Sequence, residues 1–277
     1  IWARVNTLYN RVRERYPELF KGQTDEIDLN PRIMTYLVSQ FGHYDFLNSS
    51  VDVKGEAYEA IVGKNLQGTR GEFFTPRNAV KMAIKMLDPR PGMKCIDPAC
   101  GTGGFIVVML NYMAEQISRQ IRQEGITGHQ GEIAFRHRLR LASQNIFGID
   151  INPNLVRVAR MNMVMNNDGQ GGITHLDGLE VNPDHWTLPE GTLKRYRPDA
   201  TEEEVSIKDF FRSELQEGAF DIVATNPPFG TKIKIDSDDL LARYEGVGYK
   251  WNYDEEKGFW SRSAKLQAKV APEILFI

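Results

Sequence analysis

Apolar side chains follow two different spacings along the chain. In the first stretch they recur every three or four positions: Val5, Leu8, Val12, Tyr16 and Leu19, then Ile33, Met34, Leu37, Val38 and Phe41, then Ala57, Tyr58, Ile61 and Val62. That period belongs to amphipathic helices. Asn30-Pro31 gives the second helix a cap and a first-turn proline, and the third begins near Lys54. These helices are read as packing together, with partner binding as the alternative. Later in the chain, short apolar runs end at polar residues: Cys95–Asp97, Ile146–Ile151, Ile173–Leu176 and Ala219–Thr225. Helical patterns through Val107, Leu110 and Met113, and through Leu155, Val158, Ala159 and Met161, lie between them. Strands alternating with helices predict an α/β fold, a mostly parallel sheet covered on both faces. The expected organisation is a helical N-terminal domain over 1–66 and an α/β domain over 67–277.

The first strand runs into Asp97-Pro98-Ala99-Cys100-Gly101-Thr102-Gly103-Gly104-Phe105, with a helix expected from about Phe105. Glycines let backbone pass close to a ligand, and the helix start offers free N–H groups suited to a carboxylate or phosphate. A dinucleotide fingerprint would need glycine where Ile106 stands, so this is a nucleotide-type loop of another kind. The second strand ends at Asp150, beside that loop, where a carboxylate can accept both hydroxyls of a ribose. Asn152-Pro153 already caps the next helix, so capping by Asp150 is less needed. Asp177-Gly178 ends the third strand. The last strand runs into Asn226-Pro227-Pro228-Phe229-Gly230, where two prolines force the chain out of the ladder and hold the Asn226 side chain at the sheet's carboxyl edge.

Composition narrows the setting. Of the 277 residues, 41% are hydrophobic and 26% charged, as in ordinary globular proteins. No apolar run approaches a membrane span, the first residues carry no signal-peptide pattern, and a cytoplasmic setting is the default. The net charge is −3 and the pI about 6.0, unlike a stand-alone DNA-binding domain. Cys95 and Cys100 are expected to be reduced, and five histidines without paired spacing give a metal site no support. Arg119, Arg122, Arg136, Arg138 and Arg140 make a basic run after the glycine loop, read as a solvated face on an insertion. Thr201-Glu202-Glu203-Glu204 reads as a capping box opening a helix toward Phe210 and Leu215. The chain starts at Ile1 and stops on Glu273-Ile274-Leu275-Phe276-Ile277, and is read as a piece of a longer one.

Three motifs in this order carry a resemblance. Asp97–Phe105 resembles the S-adenosylmethionine loop of the amino-methylating DNA methyltransferases, and Asn226–Phe229 resembles their catalytic turn. Gly71-Glu72-Phe73-Phe74-Thr75-Pro76-Arg77 resembles the element preceding that loop in modification subunits of type I restriction-modification systems. From residues alone, Thr75 and Pro76 open a helix that buries Val80, Ile84 and Leu87, and the two aromatics are core or pocket.

The resemblance implies a Rossmann-like methyltransferase domain whose sheet needs further strands beyond Ile277. It also implies that Glu72, Phe73, Phe74, Thr75 and Pro76 lie against S-adenosylmethionine. Asp97 would meet the cofactor's ammonium, Ala99, Gly101, Thr102 and Gly103 would form the turn around its methionine end, and Asp150 would take the ribose. Asp177 would contact the amino group of the cofactor's adenine, or else is simply a turn former. Asn226, Pro227, Pro228 and Phe229 would be catalytic, acting on adenine in double-stranded DNA. Implied partners are a DNA-specificity subunit, a restriction nuclease subunit and a second copy, in a bacterium or archaeon. A cytosine C5 enzyme would need a nucleophilic cysteine after proline, which neither cysteine satisfies. An RNA or protein-glutamine methyltransferase shares the Asn-Pro-Pro-aromatic turn, and a non-catalytic cofactor-binding scaffold is the remaining alternative.

Overall fold

A computed structural model describes residues 1–15, 20, 27–44, 75–166, 172–180, 182–229 and 234–276. The chain divides into two units, Ile1–Ile61 and Val62–Ile277. Residues 45–74, on either side of that division, lie outside the described ones, and so does the helix expected from Lys54.

In the first unit, α1 (Trp2–Arg15) and α2 (Pro31–Phe41) are the described helices. Asn30 caps α2 as expected: its side-chain oxygen accepts from the Arg32 N–H at 2.9 Å. Packing is thinner than the apolar spacing suggested. Met34 is buried, but Leu8, Val12, Ile33, Val38 and Phe41 are exposed.

The second unit begins with α3 (Arg77–Leu87), which buries Val80 and Ile84 and leaves Leu87 exposed. Then follow β1 (Cys95–Asp97), α4 (Gly104–Gln123), α5 (Gly128–Ser143), β2 (Ile146–Asp150), α6 (Pro153–Met165) and β3 (Gly172–His175). After a hairpin of β4 (Thr192–Tyr196) and β5 (Glu202–Ser206) come α7 (Ile207–Glu214) and β6 (Ile222–Val223). The chain continues through α8 (Asp238–Leu241), a second hairpin of β7 (Tyr249–Asp254) and β8 (Phe259–Leu266), and α9 (Pro272–Leu275).

The main sheet is parallel, in the order β3-β2-β1-β6. Every residue of β1 and β2 is buried, which is why these strands read as unbroken apolar runs rather than alternating ones. Alternation still assigns faces. Phe147 stacks on Phe210 of α7 with ring centroids 6.1 Å apart, while its neighbour Gly148 lies against Cys100 and Ile106 on the α4 side. Ile106, Met109, Leu110, Met113 and Ile117 of α4 are fully buried. Each such side chain contributes about 1.5–3 kcal/mol on leaving water. The chain steps from β1 to β2 and β3 on one side, then returns to place β6 on the other. β1 and β6 therefore flank the point where strand order reverses, the place where open α/β sheets bind ligands.

The insertion after the glycine loop is the α4–α5 pair, and its basic side chains are largely occupied. Arg138 forms a two-point contact with Glu124 at 2.8 and 2.6 Å, Arg140 meets Glu202 at 2.5 Å, and Arg136 pairs with Glu132. The capping box expected at Thr201–Glu204 does not form. Glu202–Ser206 is strand instead, paired antiparallel with β4, where Lys194 and Arg140 hold Glu202 and Arg197 holds Glu203. Helix α7 starts later, with Ser206 as its cap and Phe210 and Phe211 buried. Among the described residues no helix is long and apolar enough to cross a membrane.

Candidate active site

Strand register brings two loops together. β1 and β6 are parallel neighbours, Cys95 opposite Ile222 and Ile96 opposite Val223, and Ala224 N donates to Ile96 O at 3.0 Å. The turn after Asp97 and the turn at Asn226 thus leave the same edge of the sheet from adjacent strands.

The glycine turn needs its glycines. Gly101 and Gly103 adopt φ of 54° and 88°, where side chains are strained. Gly101 faces open space, while the Gly103 backbone lets Ala159 of α6 approach to 3.3 Å of where a Cβ would stand. Hydrogen bonds then fasten the turn from several sides. Cys100 N donates to Ile149 O (2.8 Å), Ala99 N to Asp97 Oδ1 (3.1 Å), and Gly101 N to Asp150 Oδ2 (2.9 Å). Asn162 Nδ2 donates to Thr102 O at 3.2 Å and Arg77 Nη1 to Gly104 O at 3.3 Å. The last two were not singled out from the sequence. Asn162 did leave a trace there: it is a polar residue on the apolar stripe of α6, one turn beyond Val158 and Ala159, and is fully buried.

Asp97 is 1% exposed. Burial pushes its carboxyl up to about 7, and the Asp150 charge adds to the rise. The Thr225 hydroxyl and Ala99 N–H oppose it. The Thr225 influence is one of proximity, since its buried Oγ1 meets no partner within hydrogen-bonding geometry among the described residues. Asp150 is also buried, and its Oδ1 accepts the Asn152 N–H at 2.8 Å. Asn152 fills the cap of α6 as expected, accepting from Asn154 N at 3.0 Å. Both oxygens of Asp150 therefore hold backbone. Asp177 forms the turn, its Oδ1 accepting from Leu179 N at 3.0 Å. At Gly178 a Cβ would stand 2.1 Å from Pro98 O, so the exit of β3 packs directly on the exit of β1.

The second turn is held differently. Asn226 is half-buried, and its Nδ2 donates to Thr75 Oγ1 at 2.9 Å. Neither Asn226 Oδ1 nor the Pro227 carbonyl has a hydrogen-bond partner among the described residues. Pro228 is exposed, and Phe229 is 57% exposed. Thr75 does not cap α3: Pro76 occupies that position, no side-chain cap forms, and the Thr75 hydroxyl is turned to Asn226. Glu72, Phe73 and Phe74 lie outside the described residues. Burial, aided by the Asp221 charge, pushes the Cys95 thiol up to about 12, and burial lifts Cys100 well above its ordinary range. Neither supplies the thiolate that cytosine C5 chemistry needs.

The N-6 DNA Methylase family model matches residues 49–254. The chain belongs to that family. Among the relatives of this chain, the type I restriction enzyme StySPI methylase subunit of Salmonella potsdam is 28% identical over 208 residues, 73% of this chain and 32% of that protein. The EcoKI methylase subunit of Escherichia coli K12 is 28% identical over 209 residues, with the same two shares. The HindI methylase subunit of Haemophilus influenzae reaches 32% over 147 residues, 52% of this chain and 27% of that protein. The chain spans about a third of the length of the first two. A crystallised modification subunit assigned to a type I restriction enzyme in Vibrio vulnificus YJ016 shares the fold with a TM-score of 0.54 at 20% identity, over 85% of this chain and 40% of that one. The expected family and α/β methyltransferase fold both hold.

Proposed function

We propose that this chain carries the catalytic turn of a DNA adenine methyltransferase, transferring a methyl group from S-adenosylmethionine to the exocyclic amino group of adenine in double-stranded DNA. The observation that carries this reading is a pair of acceptors without partners among the described residues, Asn226 Oδ1 and the Pro227 carbonyl, in the turn that follows β6, the strand beside β1 and its glycine turn. An adenine amino group is a poor nucleophile because its lone pair is delocalised into the ring. Two acceptors that take both N–H protons let the nitrogen become more tetrahedral, which restores the lone pair. The exposed ring of Phe229 offers a stacking face for a base turned out of the duplex, a contact worth about 1–3 kcal/mol. Positioning and electrostatics suffice for the displacement.

The turn fits the cofactor. Gly101 opens onto free space, Asp97 brings a buried carboxylate, and Thr225 Oγ1 is an orphaned polar atom beside it. When bound, S-adenosylmethionine supplies an electrophilic methyl group. Asp97 would hold the ammonium, Ala99, Gly101, Thr102 and Gly103 would surround the methionine end, Asp150 would accept the ribose hydroxyls, and Asp177 would contact the adenine amino group. Glu72, Phe73, Phe74 and Pro76 would close the pocket, while the Thr75 hydroxyl is turned to Asn226. By the likeness to type I methylase subunits, the chain works in the cytoplasm of a bacterium or archaeon. It would act beside a DNA-specificity subunit, a nuclease subunit and a second copy of itself. A separate specificity subunit agrees with the net charge of −3, since phosphate contacts would come largely from it.

The test is to incubate the full-length protein with its specificity partner, labelled cofactor, and duplex DNA, RNA or a protein-glutamine substrate. Label recovered as N6-methyladenine from duplex DNA is expected. Label confined to RNA or protein would overturn the reading.

A further inference from the structure

We propose that Thr75 is a positioning residue that holds the Asn226 carboxamide in place to meet the target base. The inference rests on the reading of Asn226 as the group that receives the target amine.

The Thr75 hydroxyl accepts from Asn226 Nδ2 at 2.9 Å, which ties the carboxamide to the start of α3 and leaves Oδ1 as the end with no partner among the described residues. A hydroxyl can also donate, so this bond holds the amide in its place rather than choosing its end. Without the bond the side chain can swing away from the turn, and the reactive arrangement is lost. The local chain explains why Thr75 is available for this. In the usual capping geometry its hydroxyl would accept from the first turn of α3, but the helix starts at Arg77 with Pro76 in the cap position and no side-chain cap. Thr75 is β-branched and Pro76 has a fixed φ, so the hydroxyl sits on a stiff support.

Arg77, two residues on, donates to Gly104 O at 3.3 Å. Three consecutive residues therefore touch both turns, one at the catalytic amide and one at the end of the glycine turn. The hydroxyl that holds Asn226 is built into the segment that registers the two turns against each other. Thr75 was assigned to the cofactor pocket by resemblance alone, and the two roles predict different kinetics.

The experiment uses the full-length protein, duplex DNA and labelled S-adenosylmethionine, with Thr75→Val and Thr75→Ser variants and equilibrium binding of S-adenosylhomocysteine. Thr75→Val keeps the shape and removes the hydrogen bond. It should lower kcat by about ten- to a hundredfold with KM for the cofactor and product binding unchanged, and Thr75→Ser should return kcat to within a few fold of wild type. An unchanged kcat in Thr75→Val overturns the proposal. So does a raised cofactor KM with kcat intact, loss of product binding in Thr75→Val, or failure of Thr75→Ser to restore turnover. If the wild-type protein itself does not methylate adenine, the proposed function fails, and the failure is visible before any variant is compared.

Discussion

The two turns at the carboxyl ends of β1 and β6 stand side by side but are secured in different ways. The glycine turn is tied by Asp97, Asp150, Asn162 and Arg77, and by the backbone of β2. The Asn226 turn follows a two-residue strand, and its side-chain tie among the described residues is the one bond to Thr75. Prolines supply the rest of its rigidity. The contrast matches the two tasks proposed for these turns. A cofactor loop works best when preformed, because ordering it at binding would cost affinity. A turn that receives a base from outside must leave its acceptors unclaimed and its aromatic ring uncovered.

Substitutions at each turn sharpen this contrast. Asn226→Ala in the full-length protein should cut methyl transfer on the order of 10²–10³-fold, with cofactor affinity kept, as seen by steady-state kinetics beside calorimetric binding. Equal loss of cofactor binding would show that the two turns are not independent. On the fastened side, Gly178→Ala must move a Cβ that would stand 2.1 Å from Pro98 O. A destabilisation of roughly 1–3 kcal/mol in urea unfolding is expected, because the β1 and β3 exits cannot both keep their places. Phe229→Ala should weaken productive DNA binding by about 1–3 kcal/mol and leave the unfolding midpoint unchanged, since the ring is already exposed.

Asp97→Asn has the smallest effect and is a matter of pH. The folded carboxyl keeps its proton up to about 7, while in the unfolded chain it ionises near the ordinary 3.8. The folded state therefore binds more protons in that window, and stability falls as pH rises through it. Asparagine does not ionise and keeps the acceptor for Ala99 N. The variant should melt above wild type at pH 8, converge with it at pH 4, and bind cofactor more weakly. A melting difference that does not change with pH would mean that Asp97 is ionised throughout.

How much of this was readable from residue order depends on whether the partner lies nearby in sequence. Asn30-Pro31 and Asn152-Pro153 announced their helices because a cap bonds two residues away. The glycine turn was legible since Gly101 and Gly103 serve the backbone at their own positions. Thr75 was read as a cap, because the alternative partner, Asn226, lies 151 residues on and leaves no local pattern. Thr201–Glu204 misled for the same reason. A serviceable capping signal lost to Lys194 and Arg197 across a hairpin, and nothing within the acidic run itself records them.

The basic face of α5 has one more consequence. Its Arg136, Arg138 and Arg140 carry their countercharges with them, as glutamates of the same chain. A polyanion approaching that face would free few small ions from its own atmosphere, because the arginines have little unspent charge to offer in exchange. The entropy of ion release that draws basic proteins onto nucleic acids is largely forgone at this surface. Contact with DNA through it would respond only weakly to added salt.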